Sequence, residues 1–153
     1  MPETRWLTAE EQRAWRAYLE SSIVLFDRLD RQLQRDSGIT HGYYEILVRL
    51  SEAEGRVLRM SQLADATRSS RSRLSHAVAR LEERGWVIRR DCPTDRRGQL
   101  AELTDEGFVV LVRAAPGHVE AVRRYVIDRL DPDQITELAE IGETIVAGAR
   151  DGY

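Results

Sequence analysis

CPTDRRGQLAELTDEG, Cys92 to Gly107, places an acid and two arginines at a turn, follows them with apolar residues and closes on a Thr-Asp-Glu-Gly signal. It reads as the tip and return strand of a β-ribbon running into a helix. WVIRR (Trp86–Arg90) and LAELT (Leu100–Thr104) are the two strands, with DCPTDRRGQ between them. Upstream, RVLRM (Arg56–Met60) reads as a short strand, and Ser61 as the cap of a brief helix, SQLADAT. Ser69 or Ser70 caps a second helix running to about Arg84, where Gly85 supplies the stop. Two short helices joined by a tight turn and followed by a two-stranded ribbon make a winged helix-turn-helix.

Longer helices flank this centre. Thr8 followed by Glu11 has the form of a capping box, and Leu19, Ile23, Phe26, Leu29 and Leu33 then recur at helical spacing as far as Gly38. Thr40 caps a further helix with Tyr44, Leu47, Val48 and Leu50 on its buried face, ending by Gly55. A long helix begins at Asp105, and Pro116-Gly117 is expected to kink or break it because proline removes a backbone donor. Asp131-Pro132 opens the last helix, whose Ile135, Leu138, Ile141 and Ile145 share one face. The expected fold is mainly α with a small antiparallel β-wing. Its divisions are an N-terminal helix (1–37), the winged helix-turn-helix (38–104) and C-terminal helices (105–153).

Composition excludes several functions. The 153 residues suit one compact domain or two small lobes, and a single cysteine, Cys92, allows neither an internal disulfide nor a cysteine-based zinc site. The three histidines, His41, His76 and His118, lack metal spacing, and no phosphate loop or catalytic motif is present. Hence no metal, no cofactor and no enzymatic activity are expected. With no run of 18 apolar residues and no basic-then-apolar start, the expected location is the cytoplasm, without a membrane span. All 23 basic residues are arginine and the net charge is −3, yet Ser61–Gly98 holds nine arginines against five acids. A basic centre between acidic flanks suits a local phosphate-binding face.

That centre has two sides. On the second short helix, Leu74, Ala77, Val78 and Leu81 form a core stripe. Opposite it lie Arg71, Ser72, Ser75, His76 and Ala79, with Ser70 at the start and Arg73 and Arg80 at the margins. Long donors interspersed with small side chains suit a helix lying in a major groove, because bulk everywhere would hold its axis away from the bases.

The chain resembles the multiple antibiotic resistance regulator (MarR) family of winged-helix transcription factors. DCPTDRRGQLAELTDEG is similar to that family's wing signature, and LADATRSSRSRLSHAVARLEERGWVIRR to its recognition-helix stretch. The resemblance implies a homodimer held by the first and last helices, binding double-stranded DNA at a pseudo-palindromic operator. In that pattern the wing places Arg97 in the minor groove with Asp95 holding its guanidinium, and Arg96 on phosphate. It also implies a repressor role and a small effector, such as an aromatic acid or another amphipathic compound, for which Trp15, Tyr18, His41, Tyr44 and Arg49 are the candidate contacts. Cys92 lies in the wing, away from the first helices where the family's redox-sensing cysteines lie, and reads as a structural or incidental thiol. The alternative is a winged-helix module that binds protein instead of DNA.

Overall fold

The computed structural model describes residues 3–93 and 95–150; at Arg96 and Arg97 it describes the backbone alone. Helix α1 spans Ala9–Ser37. The Thr8 hydroxyl accepts from Glu11 N (3.2 Å), and the Glu11 carboxylate accepts from Thr8 N (2.7 Å). Gly38 stops the helix in the left-handed region at φ 66°, donating to the Gln34 carbonyl. Helix α2 (His41–Glu52) starts on the Thr40 hydroxyl, as expected.

The remaining elements are strand β1 (Val57–Arg59), helices α3 (Met60–Ala66) and α4 (Arg71–Glu83), strands β2 (Val87–Cys92) and β3 (Asp95–Leu103), and helices α5 (Asp105–Tyr125) and α6 (Pro132–Arg150). The strands form one antiparallel sheet in the order β1-β3-β2, with Arg59 opposite Leu100 and Val87 opposite Leu103. Contacts between Cα atoms divide the chain into two compact units, Met1–His118 and Val119–Tyr153.

In the first unit one apolar core joins Leu33 of α1, Leu47 and Leu50 of α2, Leu63 of α3, Leu74, Val78 and Leu81 of α4, Val87 of β2 and Ala101 of β3. Each of these is essentially removed from water, so each large aliphatic side chain contributes about 1.5–3 kcal/mol. The core fixes which way α4 faces. The base of the wing is fixed by Thr104, whose backbone N donates to Trp86 O (3.0 Å) and whose hydroxyl donates to Gly85 O (2.7 Å). The same hydroxyl accepts from Gly107 N (3.0 Å), capping α5. Gly107 lies so close to β2 that a Cβ there would stand 2.1 Å from Trp86 O.

Three local expectations are corrected. Helix α3 begins at Met60 with Arg59, not Ser61, as its cap, because the Gln62 side chain folds back to accept from Arg59 N at 3.1 Å. Strand β3 starts at Asp95, five residues before Leu100, so the ribbon reaches to its tip, where Cys92 pairs with Asp95. Helix α5 runs through Pro116 unbroken. Proline suits helical φ, and the carbonyl it leaves without a donor belongs to Val112, a residue 53% exposed, where water can serve it. The chain leaves helical geometry later, at Val126 (φ −126°, ψ −69°).

In the second unit, Asp131 caps α6 by accepting from Gln134 N (2.9 Å), and Gln134 returns a bond to Asp131 N. None of the residues of α6 is buried: Ile135, Leu138, Ile141, Ile145 and Val146 all face solvent. Among the described residues, no helix is long and apolar enough to cross a membrane.

Candidate nucleic-acid interface

The helix-turn-helix is built by α3, a turn of four residues and α4. In the turn Arg68 adopts φ 52°, and the Ser70 hydroxyl caps α4 by accepting from Arg73 N (3.3 Å). Leu74, Val78 and Leu81 are buried beneath the helix. Arg71, Ser72, Arg73, Ser75, His76 and Arg80 are consequently all exposed, and Ala79 is half-buried. The two-sided character read from the sequence is therefore a property of the folded helix.

The arginines divide by what they meet. Arg80 pairs with Glu83 one turn on (2.8 Å), Arg90 pairs across the ribbon with Glu102 (2.9 Å), and Arg89 is bound to Glu82, tying β2 to the end of α4. Arg84 lies over the Trp86 ring (4.9 Å) and donates to the Gly38 carbonyl (3.2 Å). Among the described residues, Arg71 and Arg73 meet no carboxylate within 4.0 Å. The first turn of α4 thus offers two exposed guanidinium groups next to the Ser75 hydroxyl and the His76 ring, a mixture suited to phosphates and base edges.

Between α4 and the wing lies a recess of about 330 Å³ lined by Arg59, Arg71, Ser75, Asp95, Gly98 and Gln99, among others. Asp95 Oδ2 stands 3.5 Å from Arg59 Nη1 in that lining. Gly98 matters for close approach, since a Cβ there would lie 3.0 Å from the Asp95 carboxylate and 3.2 Å from Cys92 Cβ. The Arg96 and Arg97 side chains, assigned to phosphate and minor groove from the wing motif, lie outside the described residues. Cys92 is buried at the wing.

Of the five effector candidates, His41 and Arg49 share a recess, Tyr44 lies one ring beyond His41, and Trp15 and Tyr18 stack on each other. His41 and Arg49 line a second recess, of about 590 Å³, together with Phe26, Glu45 and Arg68. Arg49 is held there by Glu45 (2.8 Å). Tyr44 is buried against the core and packs on His118 (4.5 Å), which in turn stands 5.7 Å from His41. Burial pushes the Tyr44 hydroxyl above its usual range, with Glu45 adding to the effect. Burial and then the neighbouring His41 pull His118 below the usual histidine range. Trp15 and Tyr18 stack on each other at 6.0 Å, exposed on α1. Sequence reading had no signal for Arg59, Arg68, Phe26 or His118, because each gains its neighbours only through the fold.

Comparison with known proteins agrees with this architecture. Residues 37–98 match the family model described as MarR family. Sco3205, a MarR family transcriptional regulator from Streptomyces coelicolor solved in complex with DNA, is 59% identical; the match covers 97% of this chain and 92% of that one, with a TM-score of 0.93. AbsC, a MarR family transcriptional regulator from the same organism, is 47% identical over 97% of this chain and 99% of its own, with a TM-score of 0.91. A putative transcriptional regulatory protein for the hcr operon of Thauera aromatica is 34% identical over 60% of this chain, a match spanning about half (54%) of that relative's length. With the winged helix-turn-helix in place and identity this high over nearly full-length chains, the protein belongs to the MarR family.

Proposed function

We propose that this protein is a sequence-specific DNA-binding transcriptional regulator that acts as a homodimer and represses until a small molecule releases it. The observation that carries the DNA reading is the exposed face of α4, where Arg71 and Arg73 stand without ion-pair partners among the described residues, beside small polar side chains and a β-ribbon. The DNA-bound state of the 59% identical Sco3205 supports it. Ser70, Arg71, Arg73, Ser75, His76 and Arg80 are assigned to the major groove and its phosphates, with Asp95, Arg96 and Arg97 assigned to the wing contact.

The dimer reading is supported by two apolar faces that are exposed among the described residues: Trp15, Leu19, Ile23 and Phe26 on α1, and Leu138, Ile141 and Ile145 on α6. Surfaces of that kind are held by partners. A two-fold dimer would set two α4 helices into successive major grooves, about 34–36 Å apart. The effector reading is assigned to the recess bearing His41 and Arg49, where Arg68 and the Phe26 and His41 rings offer a small aromatic acid a charge and stacking surfaces beside the Arg49–Glu45 pair.

The test is a binding titration over salt, with a duplex selected from a random-sequence pool by the wild-type chain and an unrelated duplex for comparison. Arg71→Ala and His76→Ala should flatten discrimination between the two, at about 1–3 kcal/mol per specific contact. Equal loss on both duplexes would remove these residues from base recognition, and absence of any salt-dependent binding would favour a protein-interaction module.

A further inference from the structure

Arg59 stands where three elements meet. It is the last residue of β1, paired across the sheet with Leu100, and at the same time the cap residue of α3, its N–H held by Gln62 at 3.1 Å. A side chain leaving a backbone fixed at both ends starts from a defined point. It lines the recess beside α4 and brings Nη1 to 3.5 Å from Asp95 Oδ2.

Asp95 opens β3 at the far end of the ribbon, where the ladder is irregular: Asp91 pairs with Gln99 but Cys92 pairs with Asp95, a register shift between adjacent residues. Ladder bonds alone therefore do not specify how the tip lies, since a bulged ribbon bends and twists locally. Gly98 makes room for the Asp95 carboxylate by having no Cβ. Arg71 and Ser75 of α4 line the same recess.

We propose that Arg59 is a positioning residue, which holds the wing tip in register with helix α4 by pairing with Asp95 in the lining of the recess beside α4. This rests on the reading that α4 and the wing engage one duplex together. The pair is wet, with the two side chains 41% and 47% exposed, so its influence on global stability is small. Its effect is on the population of tips that are already in place when DNA arrives, and apparent affinity scales with that fraction. The expected loss per wing is about three- to five-fold, the factor that corresponds to ~1 kcal/mol at most.

A simple phosphate contact by Arg59 predicts something else. It would weaken operator and unrelated DNA alike and reduce the salt slope by about one unit. The tether instead predicts loss on the selected duplex alone, together with a change in the protein that needs no DNA to be seen.

The experiment uses the full chain as wild type, Arg59→Met, Asp95→Asn, the double variant and Arg59→Lys. Amide hydrogen exchange in the absence of DNA is followed by titration of the selected and unrelated duplexes. Arg59→Met should speed exchange in β2 and at the start of β3 while leaving α2 unchanged, and should weaken the selected duplex three- to five-fold with the unrelated duplex level. Asp95→Asn should loosen the wing likewise and weaken the selected duplex at least as much, because Asp95 is also assigned to Arg97; the double variant should be no worse than Asp95→Asn alone, and Arg59→Lys should recover part of the Arg59→Met loss. Unchanged exchange in the wing, additive single effects, or equal loss on both duplexes would each overturn the assignment. If wild type bound neither duplex, the DNA reading would fall, and the exchange measurement would still decide whether Arg59 holds the tip.

Discussion

Replacing Gly107 by alanine sets a helix-favouring residue against a steric one. Alanine in a helix is worth at most about 1 kcal/mol over glycine, so propensity alone makes Gly107→Ala stabilising. The added Cβ would stand 2.1 Å from Trp86 O and 2.8 Å from Leu103 Cδ1, the first of these 0.9 Å short of the 3.0 Å that real Cβ atoms keep. The obstructing atom is backbone and cannot rotate away. Relief requires moving the first turn of α5 off the start of β2, which breaks the two bonds from Thr104 to Trp86 O and Gly85 O. Those bonds are worth about 1 kcal/mol each, and the strain about 1–3 kcal/mol. After subtracting the propensity gain, the net cost is about 2–4 kcal/mol, or roughly 5–15 °C in Tm for a chain of this size. Urea unfolding and thermal melting at matched protein concentration would measure it, concentration being fixed because a dimer's stability depends on it. A variant as stable as wild type, or more stable, would refute the close approach.

The other predictions concern separate parts of the molecule. Thr104→Val keeps the shape but removes the hydroxyl that donates to Gly85 and caps Gly107, and should cost about 1–2 kcal/mol in urea unfolding. His118 is held below its usual pKa in the folded chain, so the unfolded chain takes up that proton first; stability should fall as pH drops through about 6.5 toward the folded value, and His118→Gln should flatten that slope in pH-dependent melts. Ile141→Glu places a charge on the exposed apolar face of α6 and should shift sedimentation toward the monomer while leaving the helical circular dichroism of the subunit largely intact.

What was legible in the sequence was local. The caps at Thr8, Thr40, Ser70 and Asp131 and the stops at Gly38 and Gly85 each follow from a residue type that satisfies or ends a helix by itself, and the structure has all of them. The core stripe of α4 was legible for a similar reason, since a 3.6-residue period survives any tertiary context. The start of α3 was misplaced because Ser61 looks like a cap, while the bond is made by a glutamine reaching back from three residues beyond Arg59. The break expected at Pro116 does not occur, because proline's φ is itself helical and one missing donor does not end a helix by itself. Contacts such as Arg59 to Asp95, or His118 to Tyr44, join residues far apart in the chain and leave no periodic trace. Which neighbours the effector candidates meet was not legible, because an aromatic residue at helical spacing carries no information about what the fold will set beside it.

The contact between Gly107 and Trp86 also has a mechanical side. With Thr104 bonded to both ends of the Gly85-Trp86 step and no space left for even a methyl group, the junction of the ribbon and α5 is a joint without slack. A turn of the first part of α5 is then carried into the ribbon instead of being absorbed at its base. Beyond Leu100, where pairing with β1 ends, residues 95–99 of β3 make a free arm of about 17 Å. A tilt of about 5° moves the tip by roughly 1.5 Å, which exceeds the spread of about 0.5 Å in ordinary hydrogen-bond lengths. A small rotation near the base is therefore enough to take the tip out of register with anything it grips.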